Sequence, residues 1–351
     1  MKILFFAGTP RQFRTTLIGY FYSLCNEKNA EVILLKDDNN DLDKETKNAL
    51  TRKDLFPNLV AVVPSSCYKN YIAEAIVVPS DMHSFVEMEM LRWAKKKGMQ
   101  TMAIQATLYD KAKTVSDYID WENSKRMLMP LVKIRKYLGH FWMYVVKPLI
   151  RKEKPFWGKS SFILHKGQSG MRDADYQVVW DEWQRDILLT DGVSEEKLRI
   201  ENHPIKSHFK IFDEAYFQYL KKETKKSVLL VIPSEFVTDG KHYELWGKTI
   251  DFFYANNWQV FLKPHPDTTN FLFPYSQFAI DSEEPIDKYI YLSDLVIGLP
   301  PALSTSLYIA DLMGKKTIAY DPFKEWRGDF LKGRGNIIYI NNESDLTKYG
   351  Y

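Results

Sequence analysis

Two short stretches hold residues whose types and spacing suit chemistry on an anion. Lys263-Pro264-His265-Pro266 follows the strand-like run Gln259-Val260-Phe261-Leu262. Ser304-Thr305-Ser306 follows a second strand-like run, Asp294 to Gly298, and the segment Leu299-Pro300-Pro301-Ala302-Leu303. His265 sits between two prolines, so its backbone is nearly fixed. Near neutral pH its imidazole can hydrogen-bond a phosphate or carry a proton to a leaving phosphate oxygen. Lys263, at the end of the same strand, reads either as a ligand or as half of a buried salt bridge. Ser304 alone suffices as a helix cap. Three adjacent hydroxyls leave groups over for a ligand, beside the free N–H groups of a first helical turn.

Further polar candidates lie at other strand ends. Ser234 ends the run Ser227-Val228-Leu229-Leu230-Val231-Ile232-Pro233 and leads to Glu235 and Asp239-Gly240, carboxylates that are either solvated or catalytic. His165 ends a strand-like stretch over 161–167 and is either a base or a satisfied structural histidine. Arg11 and Arg14 follow a turn at Gly8, where they are either solvated or in reach of an anionic acceptor.

Those residues need a scaffold, and the apolar pattern supplies one. Strand-like runs at 2–8, 31–35, 59–63, 75–78, 101–105, 161–167, 174–180 and 197–200 alternate with helical spacing at 13–24, 84–97 and up to residue 189. Ser84 with Glu87 reads as a capping box. A second array follows with strands at 227–234, 259–262, 278–280, 294–298, 317–320 and 336–340, and its helix after Ser304-Thr305-Ser306 ends at Gly314. Such alternation specifies parallel sheets covered by helices. The reading is α/β: residues 1–205 as one Rossmann-like βαβ domain, 206–226 as a polar linker, and 227–351 as another.

Between 121 and 159 the composition changes, with ten Lys or Arg against two Glu, interleaved with Trp142, Phe141, Phe156 and Trp157. This is either a basic amphipathic helix lying on a membrane surface or a helical excursion packed on its own domain. Elsewhere charge is balanced, and a net charge of +3 sets no demand for a nucleic-acid partner. Cys25 and Cys67 lack metal-ligand spacing and read as reduced thiols of a cytoplasmic protein. Gly-x-Gly-x-x-Gly, Walker A, His-Glu-x-x-His, Cys-x-x-Cys and Gly-x-Ser-x-Gly patterns are missing. Dinucleotide enzymes, P-loop NTPases, zinc enzymes and serine hydrolases are thereby set aside. No cofactor or metal is expected.

His265-Pro266 and Ser304-Thr305-Ser306, with a strand between them, resemble the paired signatures of bacterial sialyltransferase-like GT-B glycosyltransferases. Residues 174–204, running from the strand through Trp180-Asp181-Glu182 to His203-Pro204, resemble the end of the N-terminal domain in surface-polysaccharide transferases. The family's Asp/Glu-Asp/Glu-Gly motif is replaced by Thr190-Asp191-Gly192 and Thr238-Asp239-Gly240. The resemblance implies a GT-B fold with two Rossmann-like domains facing across a cleft, and a nucleotide-sugar donor, here a CMP-linked sialic or Kdo-like acid. A bacterial surface glycan or lipid-linked acceptor would receive the sugar. It also implies phosphate contacts from His265, Ser304, Thr305 and Ser306; Ser234, Lys263, Pro266 and Gly298, at or beside the same strand ends, complete the expected nucleotide-binding set. His265, His165, Glu235 and Asp239 are then the catalytic candidates, and Gly8, Arg11 and Arg14 the acceptor side. The implied place is the cytoplasm, peripheral to the inner membrane. A CDP-linked polyol-phosphate transferase, a UDP-sugar transferase or 2-epimerase, and a catalytically degenerate assembly subunit share the layout.

Overall fold

Apolar runs of three to six residues become strands, and the strands collect into two separate parallel sheets. The computed structural model describes residues 1–38, 40–79, 85–105, 174–190, 192–201, 225–232, 240–264, 273–280, 286–300, 305–324 and 337–349, with a few isolated positions between. The chain divides into two units, Met1–Pro204 and Ile205–Tyr351.

The first unit carries β1 (Lys2–Phe6), β2 (Glu31–Lys36), β3 (Leu59–Pro64), β4 (Ala75–Val78), β5 (Gln100–Ile104), β6 (Tyr176–Val179) and β7 (Leu198–Ile200). Their order is β3-β2-β1-β4-β5-β6-β7, and every pair is parallel. β1, β2 and β4 are buried almost throughout, as a sheet covered on both faces requires. A helical run, α1, begins at Pro10 and alternates α turns (Pro10–Gln12, Ile18–Tyr22) with π turns (Phe13–Leu17, Ser23–Glu27). Thr9 caps it, accepting the Gln12 N–H at 3.2 Å, and Pro10 takes a first-turn place where no N–H is needed. Phe13 and Phe21 of α1 meet Phe5 edge-on, at centroid distances of 6.2 and 5.4 Å. Asp43 caps α2 (Lys44–Thr51) by accepting the Thr46 N–H at 2.9 Å. α3 (Phe85–Lys96) and α4 (Glu182–Thr190) follow β4 and β6.

In the second unit β8 (Ser227–Val231), β9 (Gln259–Lys263), β10 (Leu295–Gly298), β11 (Lys316–Tyr320) and β12 (Ile337–Ile340) lie in the order β12-β11-β10-β8-β9, again all parallel. The helices are α5 (Gly240–Ala255), α6 (Ile286–Leu292), α7 (Thr305–Leu312) and α8 (Glu343–Thr347). Alternate residues Leu230, Leu262, Ile297 and Ile318 pack with Trp246, Ile250 and Phe253 of α5 and Leu346 of α8 in one buried cluster. Each such fully buried side chain contributes roughly 1.5–3 kcal/mol. The opposite face of the sheet takes α6 and α7, with Phe261 against Tyr289 at 5.2 Å. Gly314, in the left-handed region at φ 71°, ends the turn after α7, where a side chain would strain.

Two expectations need correction. Residues 278–280 are not a strand: a 3-10 turn, Phe273–Phe278, is followed by a single bridge from Ala279 to Leu262. Only Ala279 and Ile280 stay extended beside β9, too few for a ladder. β5 also stops at Ile104: Gln105 still donates its N–H to the Val178 carbonyl at 2.9 Å, but turns its remaining polar groups to residues past β6. Its Oε1 accepts the Trp180 N–H at 2.9 Å, its Nε2 donates to Gln184 Oε1 at 2.6 Å, and its carbonyl accepts the Trp180 indole N–H at 3.1 Å. The expected strand at 161–167 and the Ser84 cap lie outside the described residues, as do nearly all of the linker 206–226 and of the basic segment 121–159, where Leu138, Trp142 and Ile150 are described and exposed.

Candidate functional site

In a doubly wound sheet a crevice opens at the carboxyl edge where the strand order reverses, because successive crossovers leave on opposite faces. The second unit reverses between β8 and β10, giving the 2-1-3-4-5 type of order. The pairing of these strands continues one residue past Gly298, with the Leu299 N–H donating to the Val231 carbonyl at 3.1 Å. Pro300 is described and so is α7 from Thr305 onward, so the helix that follows β10 in the chain begins with Thr305 and Ser306. Thr305 opens α7, and Ser306, half-buried, lies in its first turn. The first-turn N–H groups and the positive end of the α7 dipole therefore belong to this edge. Ser304 and the Thr305 side chain lie outside the described residues.

Gly298 shows why the helix start sits so near the sheet. A Cβ there would be 2.3 Å from Leu307 Cδ1, so strand end and helix pack at a distance only glycine permits. On the other side of β8, Lys263 pairs with Val231, and its carbonyl accepts the Ile232 N–H at 2.9 Å. Lys263 is 7% exposed and, by alternation, shares the α6 face with Phe261. Pro264 is buried beside it and leads out at the same edge. His265 and Pro266 come next, outside the described residues, as are Ser234, Glu235 and Asp239 between β8 and α5.

The loop after β11 is tied to the start of α5. Lys241 Nζ lies 4.8 Å from the Phe323 ring centroid, and the buried His242 ring meets the same ring edge-on at 5.4 Å. Asp321, fully buried, accepts the Tyr339 hydroxyl at 3.0 Å. Trp246, one turn beyond His242, donates its indole N–H to the Pro300 carbonyl at 3.1 Å. Sequence reading missed Trp246 because its partner is 54 residues away. An aromatic residue in an apolar stripe gives no sign of it.

The first unit reverses between β1 and β4. Gly8 ends β1 with φ 64°, and a Cβ there would lie 2.5 Å from Gln12 Oε1 and 3.0 Å from Pro79 Cγ. The turns after β1 and β4 thus touch at the reversal point. Arg14 does not stand open in solvent: its guanidinium contacts Asp43 at 3.4 Å and also pairs with Glu45, and its side chain is 11% exposed. Arg11 lies in α1, with its side chain outside the described residues, and His165 is outside them altogether. Among the described residues, no group of three or more His, Cys, Asp or Glu could hold a metal ion. No helix there is long and apolar enough to cross a membrane.

Two α/β units, each with an all-parallel sheet and a reversal point at its carboxyl edge, give this chain the GT-B fold. Particular proteins share it. The UDP-GlcNAc 2-epimerase of Methanocaldococcus jannaschii superimposes with a TM-score of 0.58 at 12% identity, over 99% of this chain and 91% of the epimerase. A variant of the wall teichoic acid polymerase TagF gives 0.54 at 12% identity, over 99% of this chain and 78% of TagF. S. aureus MnaA bound to UDP gives 0.51 at 11% identity, over 91% and 79%. No protein-family model and no curated protein sequence matches the chain. At such low identities the likeness is one of fold.

Proposed function

We propose that this protein is a glycosyltransferase that binds a nucleotide-linked donor at the carboxyl edge of its second sheet. The observation that supports the reading is the α7 start, which follows β10 at the strand reversal with Thr305 and Ser306 in its first turn, beside β8 and the end of β9 at Lys263 and Pro264; Ser304 adjoins the first and His265-Pro266 the second in sequence. In the proposed reaction an acceptor hydroxyl attacks the donor's anomeric carbon. His165, Glu235 or Asp239 would take its proton as base, and the sugar–phosphate bond would break with inversion. The departing phosphate would be met by His265, the hydroxyls of residues 304–306 and the α7 N–H groups, and Gly298 and Ser234 would line the same edge. That machinery stabilises charge through fixed dipoles and uses no metal or cofactor. Residues 1–205 would take the acceptor, a bacterial surface glycan or lipid-linked precursor, near the Gly8 turn with Arg11. Arg14 would act there only indirectly, through its pairing with Asp43 and Glu45. The basic segment 121–159 would hold the enzyme to the inner face of the membrane.

The donor we propose is a CMP-linked sialic or Kdo-like acid. A nucleoside diphosphate donor is the second reading, favoured by solved proteins of the same fold: the archaeal epimerase in complex with UDP-GlcNAc and UDP, MnaA with UDP, and TagF soaked with CDPG.

The test is a thermal-shift and calorimetric panel of CMP, CDP, UMP, UDP and GDP on the full chain and on His265→Ala. A ligand that binds the folded site raises its melting temperature. Stabilisation by CMP that His265→Ala abolishes supports the cytidine monophosphate donor. Stabilisation confined to UDP or CDP moves the donor to the second reading. If none of the five binds, the proposal of a nucleotide-dependent transferase is wrong.

A further inference from the structure

The α7 start is gripped from two opposite faces of the sheet. On the α7 face, Gly298 lets Leu307 press against the end of β10, where any Cβ would sit 2.3 Å from Leu307 Cδ1. From the α5 face, Trp246, fully buried, donates its indole N–H to the Pro300 carbonyl at 3.1 Å. Between these grips the Leu299 N–H is held by the Val231 carbonyl at 3.1 Å. Residues 298–300 are therefore pinned to the neighbouring strand, to the helix they lead into and to the helix on the other side of the sheet.

We propose that Trp246 is a positioning residue for ligand binding at the α7 start. Its indole sets where Pro300 stands, at the end of β10, and so bears on where the first turn of α7, with Thr305 and Ser306, can meet a phosphate. The role rests on the nucleotide reading above. A carbonyl directly before a proline is fixed by a rigid neighbour, so a hydrogen bond to Pro300 passes its constraint on with little slack. Lys241 and His242, packed on Phe323 in the preceding turn of α5, hold the donor helix itself in register with the β11 loop.

Trp246→Phe keeps an aromatic ring and removes the donor. Phe253→Leu is the control: Phe253 is a fully buried residue of the same helix that packs on Trp258 at 5.3 Å. Both substitutions should lower the melting temperature. Well below either transition, Trp246→Phe should weaken binding of the nucleotide that wild type binds by roughly three- to tenfold, the worth of one hydrogen bond, and Phe253→Leu should leave it unchanged. Hydrogen exchange supplies a reading independent of ligand: Trp246→Phe should speed exchange at residues 305–308 more than in β8, and Phe253→Leu should not. If Trp246→Phe does not fold, the wild-type chain still answers, since the Trp246 indole N–H resonance should move when nucleotide is added.

Equal loss of affinity in both variants would overturn the proposal, and so would wild-type affinity in Trp246→Phe or an indole resonance that ignores nucleotide. Failure of wild type to bind any nucleotide would overturn the transferase reading instead, leaving the exchange measurement to decide whether Trp246 fixes the α7 start.

Discussion

Replacing Gly298 by alanine tests the close approach that places α7. The new methyl carbon would lie 2.3, 2.9 and 3.1 Å from the three outer carbons of Leu307. Carbon atoms pack best at about 3.5–4.0 Å, and Leu307 is fully buried with no open side to swing into. Overpacking of this kind costs about 1–3 kcal/mol. Against it, alanine restricts the unfolded chain and recovers about 0.4–1 kcal/mol, since Gly298 is not among the glycines in the left-handed region. The net expectation is a loss of about 1–2 kcal/mol, or roughly 3–6 °C at the slope of roughly 2–4 °C per kcal/mol for a unit this size. Nucleotide affinity should fall as well, because the methyl pushes the helix start away from the strand end. Leu307→Ala alone should cost roughly 2–5 kcal/mol through its cavity. In the double variant the two methyls share the vacated space, so the loss should fall short of the sum by about 1 kcal/mol or more. Scanning calorimetry of the full chain, with the second unit's transition followed in all four proteins, measures this directly. Strict additivity, or a Gly298→Ala protein as stable as wild type, would refute the close-packing argument.

Other expectations follow from single sites. Gly8→Ala puts a side chain at φ 64° and against Gln12 and Pro79, so it should destabilise the first unit by about 2 kcal/mol, read from that unit's transition in a urea melt. Burial raises the Asp175 carboxyl, but the Thr101 hydroxyl and N–H together with Lys95 outweigh it and hold the group below its usual range. A depressed carboxylate contributes stability above its unfolded value, near pH 4, and loses it as pH falls through the folded value. The urea midpoint of Asp175→Asn should thus lie below wild type at pH 7 and converge on it at strongly acid pH; a constant gap would count against the ion-pair account. Burial pushes the Cys25 thiol up to about 12, with Lys53 opposing, whereas Cys67 is partly exposed. An aromatic disulfide reagent at neutral pH should therefore label one thiol in the native chain and both after unfolding. Rapid labelling of both in the native state would contradict the buried setting of Cys25.

Much of this architecture can be read locally. A run such as Ala75-Ile76-Val77-Val78 is apolar on both sides and short, so it can only be a strand inside a covered sheet. Gly8-Thr9-Pro10 contains a left-handed turn, a cap and a helix start in three residues, and Gly314 ends its helix as the pattern expects. Hydroxyls at 304–306 are visible for the same reason, since capping chemistry acts over one turn. The alternation of such elements determined the α/β class. Strand neighbours were beyond that reading, because β1 beside β4 and β8 beside β10 are pairings between non-consecutive strands. Yet those pairings create the two reversal points, the places where open parallel α/β sheets in general bind ligands. The fate of individual side chains was equally hidden. Arg14 looks free in sequence, but α2 brings Asp43 and Glu45 to it from some thirty residues away. Residues 278–280 have strand-forming types but find only one partner at the sheet edge. Trp246 becomes the anchor of Pro300 only after α5 has packed across β8 and β10. Propensity, capping and alternation are short-range and leave their mark in the chain. Pairing order and cross-face contacts come from burying whole surfaces together, and only the folded units decide them.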